Sequence, residues 1–117
     1  MSEKTVIIGD IHGRSIWKKI VEVEQPDKVI FLGDYFDSFN IPGLEQINNF
    51  KEIIKYKESG KSEVVLLIGN HDYHYIIDDV YEKYSGYQHR LAPSIQFELN
   101  ENKHNMQIAY QFDEYLF

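Results

Sequence analysis

The chain has 117 residues, with 12 Lys or Arg against 19 Asp or Glu and no cysteine. This length suffices for one domain, and the 43% hydrophobic and 15% aromatic content excludes a disordered chain, which lacks the apolar surface that offsets the entropy of ordering. The net charge of -7 argues against a protein that coats nucleic acid, and the lack of cysteine excludes disulfide scaffolds, thiol catalysis and iron–sulfur clusters.

Three short apolar runs rich in β-branched residues predict strands at residues 5–8, 29–32 and 64–68. None of these runs alternates polar and apolar residues, which indicates strands buried on both faces, as in a parallel sheet. Parallel strands need a crossover between them, and both intervening segments carry apolar residues at helical spacing. The order β-α-β-α-β therefore predicts an α/β protein with helices on the faces of a parallel or mixed sheet.

The two crossover helices have recognisable ends. Ser15 is expected to cap the first helix. Pro42 lies near the start of the second helix and Gly60 follows its end, as is typical of helix termini. The apolar positions of the two helices are Ile16, Ile20 and Val23, and Leu44, Ile47, Phe50 and Ile54.

The rest of the chain has a weaker pattern. A third helix that ends near Gly86 is predicted after the last of these strands, and residues 113–114 and 115–117 read as a turn and the start of a new strand. The apolar positions of this helix are Ile76, Ile77, Val80, Tyr81 and Tyr84. Beyond Pro93, a strand is predicted from the alternating residues Met106, Ile108 and Tyr110.

Each of the three predicted core strands is followed by glycine and then by a side chain that can bind a metal. These pairs are Gly9-Asp10, Gly33-Asp34 and Gly69-Asn70. Parallel strands deliver such residues to one edge of the sheet, where α/β proteins bind ligands. One Gly-Asp pair is more often an ordinary turn, but histidines at 12 and 71 accompany two of the three pairs, which favours a site.

Three segments of the chain resemble a known family. The segments 9–13 (GDIHG), 33–37 (GDYFD) and 69–72 (GNHD) resemble, in order and spacing, the first three signature motifs of the calcineurin-like metallophosphoesterases. The resemblance is close over residues 5–75. It implies half of a four-layer αββα sandwich and the hydrolysis of a phosphomonoester or phosphodiester by a metal-activated water at a two-metal site.

The resemblance also implies a set of metal ligands. Asp10, His12 and Asp34 would hold the first divalent ion, and Asp34 would bridge to a second ion that Asn70 also binds. A bridging carboxylate is expected because two neighbouring cations need a shared anion. Nitrogen and oxygen donors without thiolate point to Mn, Fe, Zn or Mg.

The remaining site residues implied by the resemblance serve the substrate. His71 would donate a proton to the leaving oxygen while Asp37 orients its imidazole. Simpler interpretations are that each of these residues caps a helix.

Other residues near the motifs have simpler expected roles. Arg14 could bind substrate or be a surface cation, and Asp72 is expected to stabilise a helix N-terminus. Tyr35 and Phe36 are expected to pack beneath the site. No family ligand motif includes His74, His89 or His104, which we expect at the surface or in packing positions.

Two departures from the family pattern qualify these expectations. Phosphoprotein phosphatases carry arginine at the positions of Ser38 and Ile68, and arginine binds phosphate in a bidentate manner. The later histidine motifs of the family are also absent, and the strand that leads to them resembles residues 115–117. We therefore expect residues 1–117 to form one domain that is incomplete at its C-terminus, with weak or absent turnover alone and an exposed strand edge that permits self-association.

Three functions are compatible with these motifs. The first is a metal-dependent hydrolase of a small phosphoester. The second is a non-catalytic scaffold or interaction module that retains the fold, and the third is a nuclease or cyclic-nucleotide phosphodiesterase. The acidic charge makes a long nucleic acid a poorer substrate than a small phosphoester. The apolar runs are far shorter than the ~20 residues of a membrane span, so we expect a cytoplasmic protein without membrane contact.

Overall fold

The structure, a computed structural model, describes residues 3–76, 87–112 and 115–117. The first part contains β1 (Thr5–Ile8), α1 (Ile16–Glu24), β2 (Lys28–Phe31), α2 (Gly43–Ser59), β3 (Glu63–Leu67) and α3 (Asn70–Ile76). The second part contains α4 (Ala92–Glu101), a short 3-10 helix (Lys103–Asn105), β4 (Met106–Gln107), β5 (Gln111–Phe112) and β6 (Tyr115–Leu116). No helix among the described residues is long and apolar enough to cross a membrane.

Within the described residues, β1, β2, β3 and β4 form one parallel sheet in that order. The register aligns Val6 with Val29 and Val29 with Val64. The predicted α/β class is therefore confirmed, as are the three core strands and both crossover helices. The strands β2 and β3 begin one residue earlier than predicted.

Both faces of the sheet are covered at β2 and β3, which explains the apolar runs of these two strands, whereas Ile7 of β1 is 47% exposed. On one face, Phe31 and Leu66 pack with Trp17, Phe50 and Ile53 of the crossover helices. On the other face, the buried side chains Ile30, Val65 and Leu67 pack with Tyr110 and Phe117. Each large apolar side chain buried in this way contributes about 1.5–3 kcal/mol to folding.

The ends of the helices agree in part with prediction. Gly60 adopts the left-handed conformation that ends α2, with φ of 73°. Ser15 occupies the N-cap position of α1, but its side chain makes no capping hydrogen bond, so its predicted capping role is wrong. The third helix begins at Asn70, before the apolar residues from which it was predicted, and its predicted part at residues 77–86 lies outside the described residues, as does the predicted turn at residues 113–114.

The strand predicted from Met106 to Tyr110 is confirmed only at residues 106–107. The ladder with β3 ends where the backbone N–H of Ile68 bonds to the carbonyl of Gln107 at 2.9 Å. Tyr110 instead exchanges two backbone hydrogen bonds with Phe117, at 3.0 and 2.8 Å, beside the antiparallel pair of β5 and β6. The Tyr110 hydroxyl also accepts a hydrogen bond from Nζ of the buried Lys28 at 2.8 Å. Tyr110 therefore pairs with Phe117 and Lys28 and does not continue β4.

Helix α4 was not predicted. Its buried residues Ala92, Ile95 and Leu99 recur at spacings of three and four, which is the helical period. Pro93 occupies its first turn, where a missing N–H costs nothing. The helix packs against α2 and α3, and thereby supports the segment that follows β3.

Candidate metal centre

The candidate ligands lie on the loops that leave the carboxyl ends of β1, β2 and β3. Asp10, His12 and Asp34 all adopt left-handed backbone conformations, with φ of 51°, 44° and 57°. Such conformations cost roughly 1–3 kcal/mol each outside glycine and cluster at functional sites. The fold therefore holds these side chains in positions that the backbone alone does not favour.

Asp10, His12 and Asp34 form one group whose potential ligand atoms all lie within 4.8 Å of one another. His12 contacts the carbonyl oxygen of Phe36 through Nδ1 at 2.6 Å. Because a carbonyl can only accept, the ring proton lies on Nδ1, and Nε2 carries the lone pair that a metal would use. Nε2 lies 4.0 Å from Asp10 Oδ1. The donor set and the tautomer of His12 both fit a divalent cation.

Asp34 links this group to Asn70. The amide of Asn70, with its nitrogen towards Asp34, donates to Oδ1 at 3.0 Å and to Oδ2 at 3.3 Å. The backbone N–H of His71 also donates to Asp34 Oδ1, at 2.9 Å. Asp34 thus belongs to the first ligand group and also contacts Asn70, as the resemblance implies for a bridging carboxylate. Among the described residues, the second ion of the family site would have Asp34 and Asn70 as ligands.

Asp72 anchors the loops around Asp34. Its fully buried carboxylate accepts hydrogen bonds from the backbone N–H groups of Asp34 at 2.7 Å, Tyr35 at 2.9 Å and Gly69 at 2.9 Å. Burial raises the pKa of Asp72 to about 7, against the opposite effect of these three donors. Asp72 therefore lies at the start of α3, as expected, and in addition joins the loops that follow β2 and β3.

The second functional feature is the buried carboxylate of Asp37. Its Oδ2 atom lies 3.0 Å from His71 Nδ1 and 2.6 Å from His74 Nε2. Its Oδ1 atom accepts a short hydrogen bond from the Tyr75 hydroxyl and one from Gln88 Nε2 at 3.2 Å. Since a carboxylate accepts in each case, both histidine protons lie on the named nitrogens.

These contacts bear on the helix-cap interpretations of Asp37 and His71. Pro42, not Asp37, occupies the N-cap of α2, so the helix-cap interpretation of Asp37 is wrong. The ring of His71 bonds to Asp37, as expected from the resemblance. His74 is fully buried and bonded to Asp37, which sequence reasoning missed, whereas His89 and His104 are exposed. Residues three apart on a helix lie on one face, so the spacing of His71 and His74 could have indicated that both contact Asp37.

Two cavities flank the ligands. A polar cavity of about 210 Å³ is lined by His12, Arg14, Asp37, Ser38, Phe39, Asn40 and His71. An apolar cavity of about 380 Å³ on the other side is lined by Ile68, Gly69, Asn70, Tyr73, Ile76 and Ile108. The structure therefore brings Arg14 to the cavity that His12 and His71 also line. Tyr35 and Phe36 are fully buried beneath the site, as expected.

Comparison with known proteins agrees with this geometry. The model of the calcineurin-like phosphoesterase family matches residues 3–114. The chain belongs to this family. The resemblance of the three motifs is thereby confirmed, and the parallel sheet with its helices is consistent with the family fold. As a calcineurin-like phosphoesterase, the chain belongs to a family of metal-dependent hydrolases and has residues that can bind metal.

One curated relative of this calcineurin-like phosphoesterase is a component of the nuclease SbcCD of Bacillus subtilis (strain 168). The two sequences are 36% identical over 53 residues, which amounts to 45% of this chain and 14% of the relative. The similarity thus covers a small part of the relative's length. No solved structure matches the chain significantly.

Proposed function

We propose that the protein hydrolyses a small phosphomonoester or phosphodiester at the edge formed by the ends of β1, β2 and β3. One observation carries this proposal: the strained group of Asp10, His12 and Asp34 shares a cavity, through His12, with the Asp37–His71 pair. A metal ligand set and a proton donor beside it are two components that hydrolysis of a phosphoester requires.

Asp10, His12 Nε2 and Asp34 would hold the first ion, and Asn70 would contribute to a second. When bound, a divalent ion lowers the pKa of its water and offsets the negative charge of the phosphoryl group. The nitrogen and oxygen donors suit Mn, Fe, Zn or Mg. The same ion would also neutralise part of the repulsion between the carboxylates of Asp10 and Asp34.

The side chains of the polar cavity perform the remaining tasks. His71 is oriented by Asp37 through Nδ1, so Nε2 is the ring atom that delivers a proton to the leaving oxygen. Arg14 lines the same cavity and binds the phosphoryl oxygens. The volume of about 210 Å³ suits a small ester or the end of a longer one. The net charge of -7 favours the small ester, whereas the relative's name, nuclease, supports a phosphodiester.

A scaffold without catalytic activity is the less favoured function. The left-handed backbones of Asp10, His12 and Asp34 reduce the stability of the fold, and a scaffold gains nothing from them. The proposed activity accounts for this strain, because it places Asp10, His12 and Asp34 around one ion.

Hydrolysis assays of the 117-residue chain test the proposal. We expect slow, Mn²⁺-dependent hydrolysis of 4-nitrophenyl phosphate or bis(4-nitrophenyl) phosphate that Asp10→Asn abolishes. Glu58→Gln is the matched control, since it removes the same charge from an exposed position on α2. Hydrolysis that persists unchanged in Asp10→Asn contradicts the proposal. Turnover of about 1–1,000 per second, as in ordinary enzymes, would instead contradict the expectation of an incomplete second metal site.

A further inference from the structure

The carboxylate of Asp37 receives more donors than the proposed reaction requires. His71, whose orientation the reaction uses, supplies one of the side-chain hydrogen bonds, and His74, Tyr75 and Gln88 supply others. The side chain of Asp37 is completely buried, and a carboxylate offers about four acceptor positions. These side chains therefore satisfy a buried anion on both of its oxygens.

We propose that His74 is a positioning residue that holds Asp37 in the orientation from which Asp37 directs His71; this inference rests on the function proposed above. His74 follows His71 by three residues on α3, so both rings lie on one face of the helix. Both rings contact the same oxygen, Asp37 Oδ2, and they pack edge-to-face with centroids 5.5 Å apart. The position of this oxygen is thus defined from two directions.

The burial of His74 shows how it acts. Its side chain is fully buried and does not line the polar cavity, so it has no contact with a substrate in that cavity. Its hydrogen bond to Asp37, at 2.6 Å, is shorter than that of His71, at 3.0 Å. Without His74, Oδ2 would keep a buried acceptor position without its donor. The carboxylate would relieve this by turning or by admitting water, and His71 would lose its fixed partner.

Nuclear magnetic resonance of the metal-free 117-residue chain, labelled with ¹⁵N in histidine, tests this inference. The readout is the solvent exchange of the Hδ1 proton of His71. His74→Phe removes the donor and keeps a ring. His74→Gln places an amide N–H at about the position that the Nε2–H group of His74 occupies. His104→Phe is the control, since His104 is exposed. We expect exchange to be faster by about tenfold or more in His74→Phe, and unchanged in His74→Gln and in the control.

Exchange that is unchanged in a folded His74→Phe variant overturns the inference. If His74→Phe does not fold, His74→Asn replaces it, because its shorter side chain cannot bring an N–H to Asp37; equal exchange in His74→Asn and His74→Gln then overturns the inference. A general loss of stability would not make the exchange at His71 differ between these two variants. Because the measurement uses neither metal nor substrate, its result is independent of whether the proposed hydrolysis is observed.

Discussion

Replacement of Gly69 by alanine tests the geometry of the proposed metal centre most sharply. Gly69 lies at the end of β3, directly against Asp34. A Cβ atom there would overlap Asp34 Oδ1 and would lie 2.6 Å from the Asp34 backbone nitrogen. The backbone of Gly69 itself is not left-handed, so the conflict arises from the contact with Asp34 and not from the conformation of Gly69.

The size of the effect follows from this overlap. Ordinary carbon contacts lie at about 3.5–4.0 Å, so the Asp34 carboxylate must move by roughly 1 Å. Overpacking of this kind costs roughly 1–3 kcal/mol of stability. Metal ligands tolerate only about 0.2 Å of deviation, so we expect Mn²⁺ affinity to fall by tenfold or more.

Gly60→Ala provides a matched control. Gly60 has φ of 73°, and a Cβ there would meet nothing within 4 Å, so its replacement costs roughly 1–2 kcal/mol through backbone strain alone. Urea unfolding should therefore show a loss for both variants, whereas calorimetric titration with Mn²⁺ should show weaker binding only for Gly69→Ala. Equal Mn²⁺ affinity in the two variants would refute the contact between Gly69 and Asp34.

Two further predictions concern stability. In metal-free protein, the folded pKa of Asp72, about 7, exceeds its ordinary value of 3.8, so the folded state binds this proton more tightly. The stability that this proton contributes should be fully present below about pH 4 and lost as pH rises through about 7. Urea unfolding at several pH values should show this fall in the free energy of unfolding for the parent chain and not for Asp72→Asn. The same pH dependence in both proteins would contradict the assignment. Leu99→Ala should cost about 2–5 kcal/mol because Leu99 is fully buried, whereas Phe97→Ala, at a position 60% exposed, should cost about 0.5 kcal/mol or less; equal losses would contradict the packing of α4.

The core strands and the grouping of the candidate metal ligands were predictable because their signals are local. An apolar run marks each strand, and the glycine and ligand follow at once, so parallel pairing alone brings Asp10, Asp34 and Asn70 to one edge. The helical spacing of Ala92, Ile95 and Leu99 is equally local, so α4 could also have been predicted from the sequence.

Other features depend on contacts that no local pattern contains. The bond between His74 and Asp37 joins residues 37 positions apart, and it exists only because α3 begins at Asn70 and turns His74 inward. Tyr110 alternates like a strand residue, yet its hydroxyl accepts a hydrogen bond from Lys28, 82 positions away, and its backbone pairs with Phe117 beside β5 and β6. The three backbone donors of Asp72 likewise come from two separate loops.

The most direct test of the account is a calorimetric titration of the 117-residue chain with Mn²⁺. We predict that the group of Asp10, His12 and Asp34 binds a divalent ion, and that Asp10→Asn weakens this binding by about 100-fold or more while Glu58→Gln leaves it unchanged. Mn²⁺ affinity that is the same in the parent chain and in Asp10→Asn would contradict the central claim that these strained residues form a metal centre.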